Sequence, residues 1–219
     1  MRLTKQRGIS LLEVMLGLSV VMLVGAYMMR DSGKAIADID AKNYAMSMQQ
    51  LYAAASNYAI ANQPGIIAAT GGTSPALYCM VNVNPANGTG GSAAYNTTKK
   101  TCAVDVTWLQ WKGYLPTSFP QTTTEGSRWA VIYRLVGTTT LEGIVVAANS
   151  VGTVNVTPTQ NLANRGDALE KAAELVGPVA GIAPKDTNQP CPWHATDNNQ
   201  RYICGTQGAW RVKLGDFVN

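Results

Sequence analysis

The sequence predicts an α+β chain in which a long N-terminal α-helical spine packs on an antiparallel β-sheet. Three observations lead there. An apolar run from Ile9 to Met29 passes without a proline into an Ala-rich amphipathic stretch that ends near Asn62. Farther on, Ser127 to Val136 and Leu141 to Ala148 read as two strands joined across Gly137-Thr-Thr-Thr, with Trp129, Val131 and Tyr133 alternating against Ala130, Ile132 and Arg134. Four cysteines, Cys79, Cys102, Cys191 and Cys204, all lie downstream of the apolar run.

The first seven residues carry Arg2, Lys5 and Arg7 and run into Gly8. From Ile9 to Met29 there is one charged residue, Glu13. As a helix rising about 1.5 Å per residue, this run spans roughly 30 Å, one bilayer core. The basic flank predicts a cytoplasmic N-terminus and places everything after Arg30 outside. A secretory cleavage site would follow the apolar core, yet the nearest small-residue pattern, Val24-Gly25-Ala26, lies within it. The sharper candidate cut comes before the core, after Gly8. A carboxylate in hydrocarbon marks function by default, although Glu13 snorkelling from an ordinary anchor fits the bare pattern too. Cleavage after Gly8 would leave an α-amine on Ile9, four residues before Glu13. In an assembled bundle that amine would neutralise the glutamate of a neighbouring subunit.

Beyond Met29 the helical pattern continues. Ile36, Ile39, Met46, Leu51, Ala54, Tyr58 and Ala61 form an apolar stripe, Gly33 is a possible bend, and Pro64-Gly65 is the expected stop. One helix of about 54 residues, near 80 Å, is the result. The predicted organisation is a leader at 1–8, a membrane or filament-core half-helix at 9–29, a soluble half-helix at 30–62 and a globular body at 63–219. Residues 65 to 103, rich in Gly, Ala, Thr and Asn, read as loop with at most short elements such as Leu77 to Val83. Their glycines lack the GK[ST] and strand context of a nucleotide loop. The Asn87-Gly-Thr, Asn96-Thr-Thr and Asn155-Val-Thr triplets read as surface loop.

Val106 to Gly113 predicts a short helix or turn whose Trp108, Leu109 and Trp111, with Tyr114, supply core. Thr157 as N-cap, Pro158 at the first helical position and Gln160 two residues on predict a second helix to Val176, weakened by Gly166 and stopped by Gly177-Pro178. Arg201 to Cys204 and Ala209 to Leu214 form a last hairpin turned by Gly205-Thr-Gln-Gly208.

The cysteines face an oxidising compartment in this reading, and three pairings are possible. Closing sequential pairs joins Cys79 to Cys102 and Cys191 to Cys204, each worth roughly 3 kcal/mol in loop entropy. Metal is the rival chemistry, since Cys191-Pro-Trp-His194 has C-x-x-H spacing with Cys204 following, but a fourth ligand is not evident. No metal or other cofactor is therefore expected. Composition is 46% hydrophobic and 14% charged, which suits a folded module. Of 17 basic side chains, Arg2, Lys5 and Arg7 fall in the leader, and the remaining 14 nearly balance 13 acidic ones, so nucleic acid is not an expected partner. Catalysis has no support either. His194 is the sole histidine, and Asp167, Glu170 and Glu174 space as one solvated helix face with Lys171.

The short basic leader, Gly8, a hydrophobic Ile9, Glu13 at the fifth position after the junction and the unbroken apolar run together resemble the type IV pilin family. The resemblance rests on about the first 25 residues. It implies that a membrane prepilin peptidase cuts between Gly8 and Ile9 and methylates the new amine. It also implies that Glu13 serves assembly and that the membrane half of the helix becomes a filament core. Ile9 stands where the family commonly has Phe or Met, which is closer to type IVb pilins and pseudopilins. The proline often found in the apolar run is missing at Val20-Val21-Met22-Leu23.

The segment Trp108-Leu109-Gln110-Trp111-Lys112-Gly113-Tyr114-Leu115-Pro116 and the later Asn161-Leu-Ala-Asn-Arg-Gly-Asp167 look like the N-terminal portion of type IVb minor, tip-located pilins, including those of conjugative thin pili. That likeness implies a pilin-like fold and a minor or tip subunit acting in filament assembly and in cell adhesion or conjugation. The receptor-binding C-terminal module of longer relatives would be absent here, since the sequence ends at Asn219. Implied partners are the prepilin peptidase, other pilin subunits through the N-terminal helix, the inner-membrane pilus assembly machinery and a cell-surface receptor. The implied location is the bacterial inner membrane before assembly and an extracellular pilus after it. Rival readings are a major type IVb pilin, a pseudopilin of a type II secretion system, whose frequent calcium site has no counterpart here, and a monomeric membrane-anchored binding protein.

Overall fold

The computed structural model describes the backbone of residues 11–123, 126–151, 156–158, 166–182, 202–205 and 210–217, with side chains over 38–123, 126–147, 171–181, 202–205 and 210–217. The chain divides into two units, Met1–Asp40 and Ala41–Asn219. The described part of the first unit is helical from Leu11. The second unit is α+β, and every strand pairing among its described residues is antiparallel.

Helix α1 runs Leu11–Thr70, past the stop expected at Pro64-Gly65 and past the boundary expected at 62. A proline inside a helix costs about 3 kcal/mol, because it removes one backbone bond and crowds the preceding turn. Here Pro64 is exposed, and the turns beyond it fully bury Ile66, Ala69 and Thr70. That burial carries the helix through. It ends at a left-handed glycine, Gly72 with φ +88°, where Gly72 N donates to Ala69 O and Thr73 N to Ala68 O. This is the Schellman termination, which only glycine makes without strain.

The apolar stripe also differs from expectation. Leu51, Ala54 and Tyr58 are buried as the pattern predicts, but Ile39 and Met46 are 57% and 59% exposed and Ala61 is exposed too. The side that packs is instead Ala41, Tyr44, Ala45, Leu51, Ala54, Ala55 and Tyr58. Its alanines let a sheet approach closely, and tyrosines fill the space between them.

Residues 65 to 103, expected as loop, contain the end of α1, a helical turn α2 (Pro75–Tyr78) and strands β1 (Met80–Val83), β2 (Gly90–Ala93) and β3 (Tyr95–Asn96), with β4 at Thr101–Asp105. All five residues of β4 are buried, so it shows no alternation to read. Helix α3 (Val106–Trp111) follows directly, then β5 (Arg128–Val136) and β6 (Thr140–Val151), the hairpin the alternation predicts. Strand β7 (Val156–Pro158) pairs with the end of β6. Thr157 and Pro158 therefore belong to a strand and do not start a helix: α4 spans Gly166–Val176, with Gly166 at its first turn, and Gly177 ends it at φ +94°. Strands β8 (Gly181–Ile182), β9 (Tyr202–Gly205) and β10 (Arg211–Lys213) form a three-stranded sheet that contains the expected last hairpin, and a 3-10 turn, Leu214–Asp216, closes the described chain.

The main sheet has the order β3-β4-β5-β6-β7. Both of its faces are covered, which is why β5 buries alternate residues on either side. Trp129, Val131 and Tyr133 join the core with α1, whereas Ala130 and Ile132 join a second core with Ala103, Val146, Leu214 and Phe217. Arg134, at the end of that alternation, bonds Asp216 at 3.1 Å and lies over the Phe217 ring, tying the last turn to the sheet.

Gly65 marks the closest approach on α1, for a Cβ there would overlap the Tyr78 ring. Helix propensity alone favours Gly65→Ala by about 1 kcal/mol. Displacement of the ring costs about 1–3 kcal/mol, so the variant is expected to lose up to about 2 kcal/mol of unfolding free energy in a denaturant titration.

Candidate functional site

The sequence singles out two groups of residues, one at the N-terminus and one made of cysteines. Gly8 and Ile9 lie outside the described residues. Glu13 falls within α1, in the part whose side chains are outside the described set. Among the described residues no helix is long and apolar enough to cross a membrane; the side chains of 9–29 are not among them. Cys79 and Cys102 form a disulfide with Cα atoms 5.2 Å apart. Cys204 is also disulfide-bonded, while Cys191 and His194 lie outside the described residues. No group of three or more metal-ligating side chains occurs among the described residues.

Within the second unit the structure assembles a clamp on α1 that the sequence did not reveal. The Tyr58 hydroxyl, fully buried, donates to Tyr78 O at 2.7 Å and accepts from Trp108 Nε1 at 3.0 Å. One atom thus joins α1 to α2 and α3. On either side of Tyr58, the same helix receives two more ties. Tyr133 of β5 donates its hydroxyl to Ala55 O at 2.8 Å, and Gln63 Nε2 donates to Thr139 O at the β5–β6 turn. Asn62 adds a bond to Tyr114 Oη at 3.2 Å. Rings reinforce the polar contacts. Tyr58 meets Tyr114 edge-on at 5.2 Å, and Tyr44 lies 4.9 Å from Trp129.

Helix α3 owes its position to Asp105, the last residue of β4. Its buried carboxylate caps the helix by accepting from Trp108 N at 3.1 Å and from Thr107 Oγ1 at 2.6 Å. The second oxygen accepts from Asn82 N and from Arg128 Nη2, at 2.9 and 3.4 Å. The sequence reading did not single out Asp105; an acidic residue just ahead of the helix is the signal that could have found the cap, but not its partners distant in the chain. Gln110 extends the support by donating to the carbonyls of Pro116 and Phe119. Of the residues expected as core, Trp108 and Leu109 are buried, while Trp111 is 37% exposed beneath the Lys112 ammonium, 4.2 Å from its ring centre.

The opposite side of α1 has different chemistry. Between Ala41 and Thr70 the only charged residue is Lys42, and no acidic residue occurs between Asp40 and Asp105. Met46 and Ile60 are 59% and 77% exposed there, with Tyr52 half exposed, among Asn, Gln, Ser and Ala. Apolar side chains in charge-poor surroundings are characteristic of the buried centre of a protein interface. Exposed hydrophobic residues at a spacing of fourteen, as Met46 and Ile60 are, could have suggested such a surface, but the sequence reading placed Met46 in the core.

Comparison with protein-family models, with curated proteins and with solved structures found no match.

Burial pushes the Tyr58 hydroxyl up to about 12 against its ordinary 10.0, with the Trp108 bond pulling partly the other way. Tyr133 is raised further by the same cause and by the neighbouring tyrosines. In the unfolded chain both ionise near 10, so the folded form holds protons that the unfolded form has lost. Stability is therefore full below pH 10 and falls as pH rises toward 12, by about 1.4 kcal/mol per pH unit for each such group. Tyr58→Phe should flatten this alkaline slope by one proton in urea midpoints measured from about pH 9 to 12. At neutral pH it should cost about 1–3 kcal/mol, because Trp108 Nε1 is left buried without an acceptor.

Proposed function

We propose that this chain is a structural subunit of the type IV pilin class, exported by its apolar N-terminal run, cut between Gly8 and Ile9, and built into a filament through α1. The observation that carries this reading is the long helix Leu11–Thr70, whose later half is clamped on one side and charge-poor on the other. A membrane anchor needs only the apolar part. The further helix from Arg30 to Thr70, with Met46 and Ile60 presented to solvent, is what lateral packing against other subunits requires. The α+β body and its antiparallel sheet on the helix support a pilin-like fold.

In this mechanism the peptidase frees the Ile9 amine and methylates it, and the amine of one subunit meets Glu13 of its neighbour. The carboxylate would otherwise be unpaired in hydrocarbon, so the pair sets the axial register of incoming subunits. The segment Trp108 to Pro116, which supports a minor or tip position through its likeness to tip-located pilins, is the element that braces α1 through Trp108 and Tyr114. Adhesion or conjugation is the role that such a position implies, and the body would reach a receptor on another cell. Prepilin peptidase and the inner-membrane assembly machinery are its partners before export.

Intact mass of protein from sheared surface filaments, compared with that from membranes, tests the proposal. Filament material starting at methylated Ile9, in trace stoichiometry, is the expected result; abundant material would mean a major pilin. Recovery of the membrane form alone, with Met1 to Gly8 retained, would overturn it. Glu13→Ala should leave cleavage intact and abolish incorporation. Ile60→Glu, at a highly exposed position, should change monomer stability by no more than about 0.5 kcal/mol yet reduce incorporation into filaments.

A further inference from the structure

The Cys79–Cys102 disulfide occupies a particular place in the clamp. Cys79 follows Tyr78, whose carbonyl accepts the Tyr58 hydroxyl and whose ring covers Gly65 two turns farther along α1. Cys102 is paired across the sheet with Tyr133, whose hydroxyl bonds Ala55 O of the same helix. Each half-cystine is thus next to one of the two tyrosines that hold α1, from opposite sides. Tyr133 is fixed by the register of β4, β5 and β6, which is independent of the disulfide. Tyr78 has no comparable frame. It ends a four-residue helical turn entered through Ser74 at φ 51°, and β1 beyond it is a short strand that pairs with β2 and is tied to Asp105 and Thr107 from Asn82 and Val83, beyond residues 63–80.

The segment of α1 that depends on Tyr78 is the part least able to stay helical by itself. Past Pro64 two turns remain, missing one backbone bond and containing Gly65. They are held by burial of Ile66 and Ala69 and by the Tyr78 ring.

We propose that Cys79–Cys102 is a redox-set latch for the end of α1. With the bond closed, residues 63–80 are locked to the sheet; with it open, they unfold locally while β4, β5 and β6 stay paired. Closure exchanges the two thiols with an incoming protein or small-molecule disulfide. That partner leaves as two thiols, carrying off the two electrons and two protons. The full-length helix is consequently a property of the chain only after it has met an oxidising compartment.

Hydrogen exchange followed by mass spectrometry, on the full chain in detergent, tests this with Cys79→Ser/Cys102→Ser, which leaves the disulfide of Cys204 intact. Amides in 63–70 and 75–80 should exchange faster by on the order of a hundredfold, the chain-entropy effect of closing a loop of this length, while 128–147 keep their protection. Tyr58→Phe, with the disulfide closed, should accelerate the same peptides to a smaller extent. Unchanged protection in 63–70 would overturn the latch. So would loss of protection in β5 and β6 to the same degree, since the bond would then be a general staple of the whole body.

Discussion

The body depends on a hydrogen-bonded tyrosine in the middle of its core. Tyr58 lies on the buried side of α1, and its hydroxyl has both a donor and an acceptor supplied by other elements, Trp108 Nε1 and Tyr78 O. Apolar packing alone would let a smooth alanine face slide along the sheet or turn about its axis. A buried hydroxyl has no such freedom, because a small shift leaves polar groups unpaired away from water at about 1–3 kcal/mol each. The bond therefore fixes the rotation and height of α1, and Tyr133, Asn62 and Gln63 repeat the constraint along its length.

From that constraint the two-sided character of the sheet follows. One face takes the helix and the aromatic residues, while the other takes the smaller core of Ala103, Ala130, Ile132 and Val146 under Leu214 and Phe217. Strands covered on both sides have every residue buried, as β4 does. Asp105 at the end of β4 then converts a strand into a helix start in one step, putting Trp108 within reach of Tyr58. A local cap and a long-range bond are thereby coupled through three residues.

The proposed filament role gives a reason for the unequal sides of α1. One side carries the fold, so the other is free of structural duty within the subunit. With Lys42 its one charge between Ala41 and Thr70, like surfaces meet little repulsion, and the exposed Met46 and Ile60 offer apolar area to neighbours. A helix built this way suits an assembly in which the same segment must be rigid inside the subunit and adhesive outside it.

By itself the sequence determined the α+β class, the long helix from the apolar run, the β5–β6 hairpin and the last hairpin, because each rests on periodicity or on local turn chemistry that neighbours in the chain supply. Gly177-Pro178 as the end of α4 belongs with these. The tertiary structure decided what depended on distant partners. Pro64 failed to stop α1 because burial of Ile66, Ala69 and Thr70 outweighed its helix penalty, a balance invisible in local propensity. Thr157 and Pro158 have a helix start's composition but pair with β6, and β4 buries both faces and so shows no period. Of the candidate site, Gly8, Ile9 and Glu13 were singled out in the sequence, and sequential closure of the cysteines, one of three possible pairings, included the Cys79–Cys102 bond that the structure forms. The clamp could not, since Tyr58, Tyr78, Trp108 and Tyr133 are up to 75 residues apart and only folding brings them within hydrogen-bonding distance of α1.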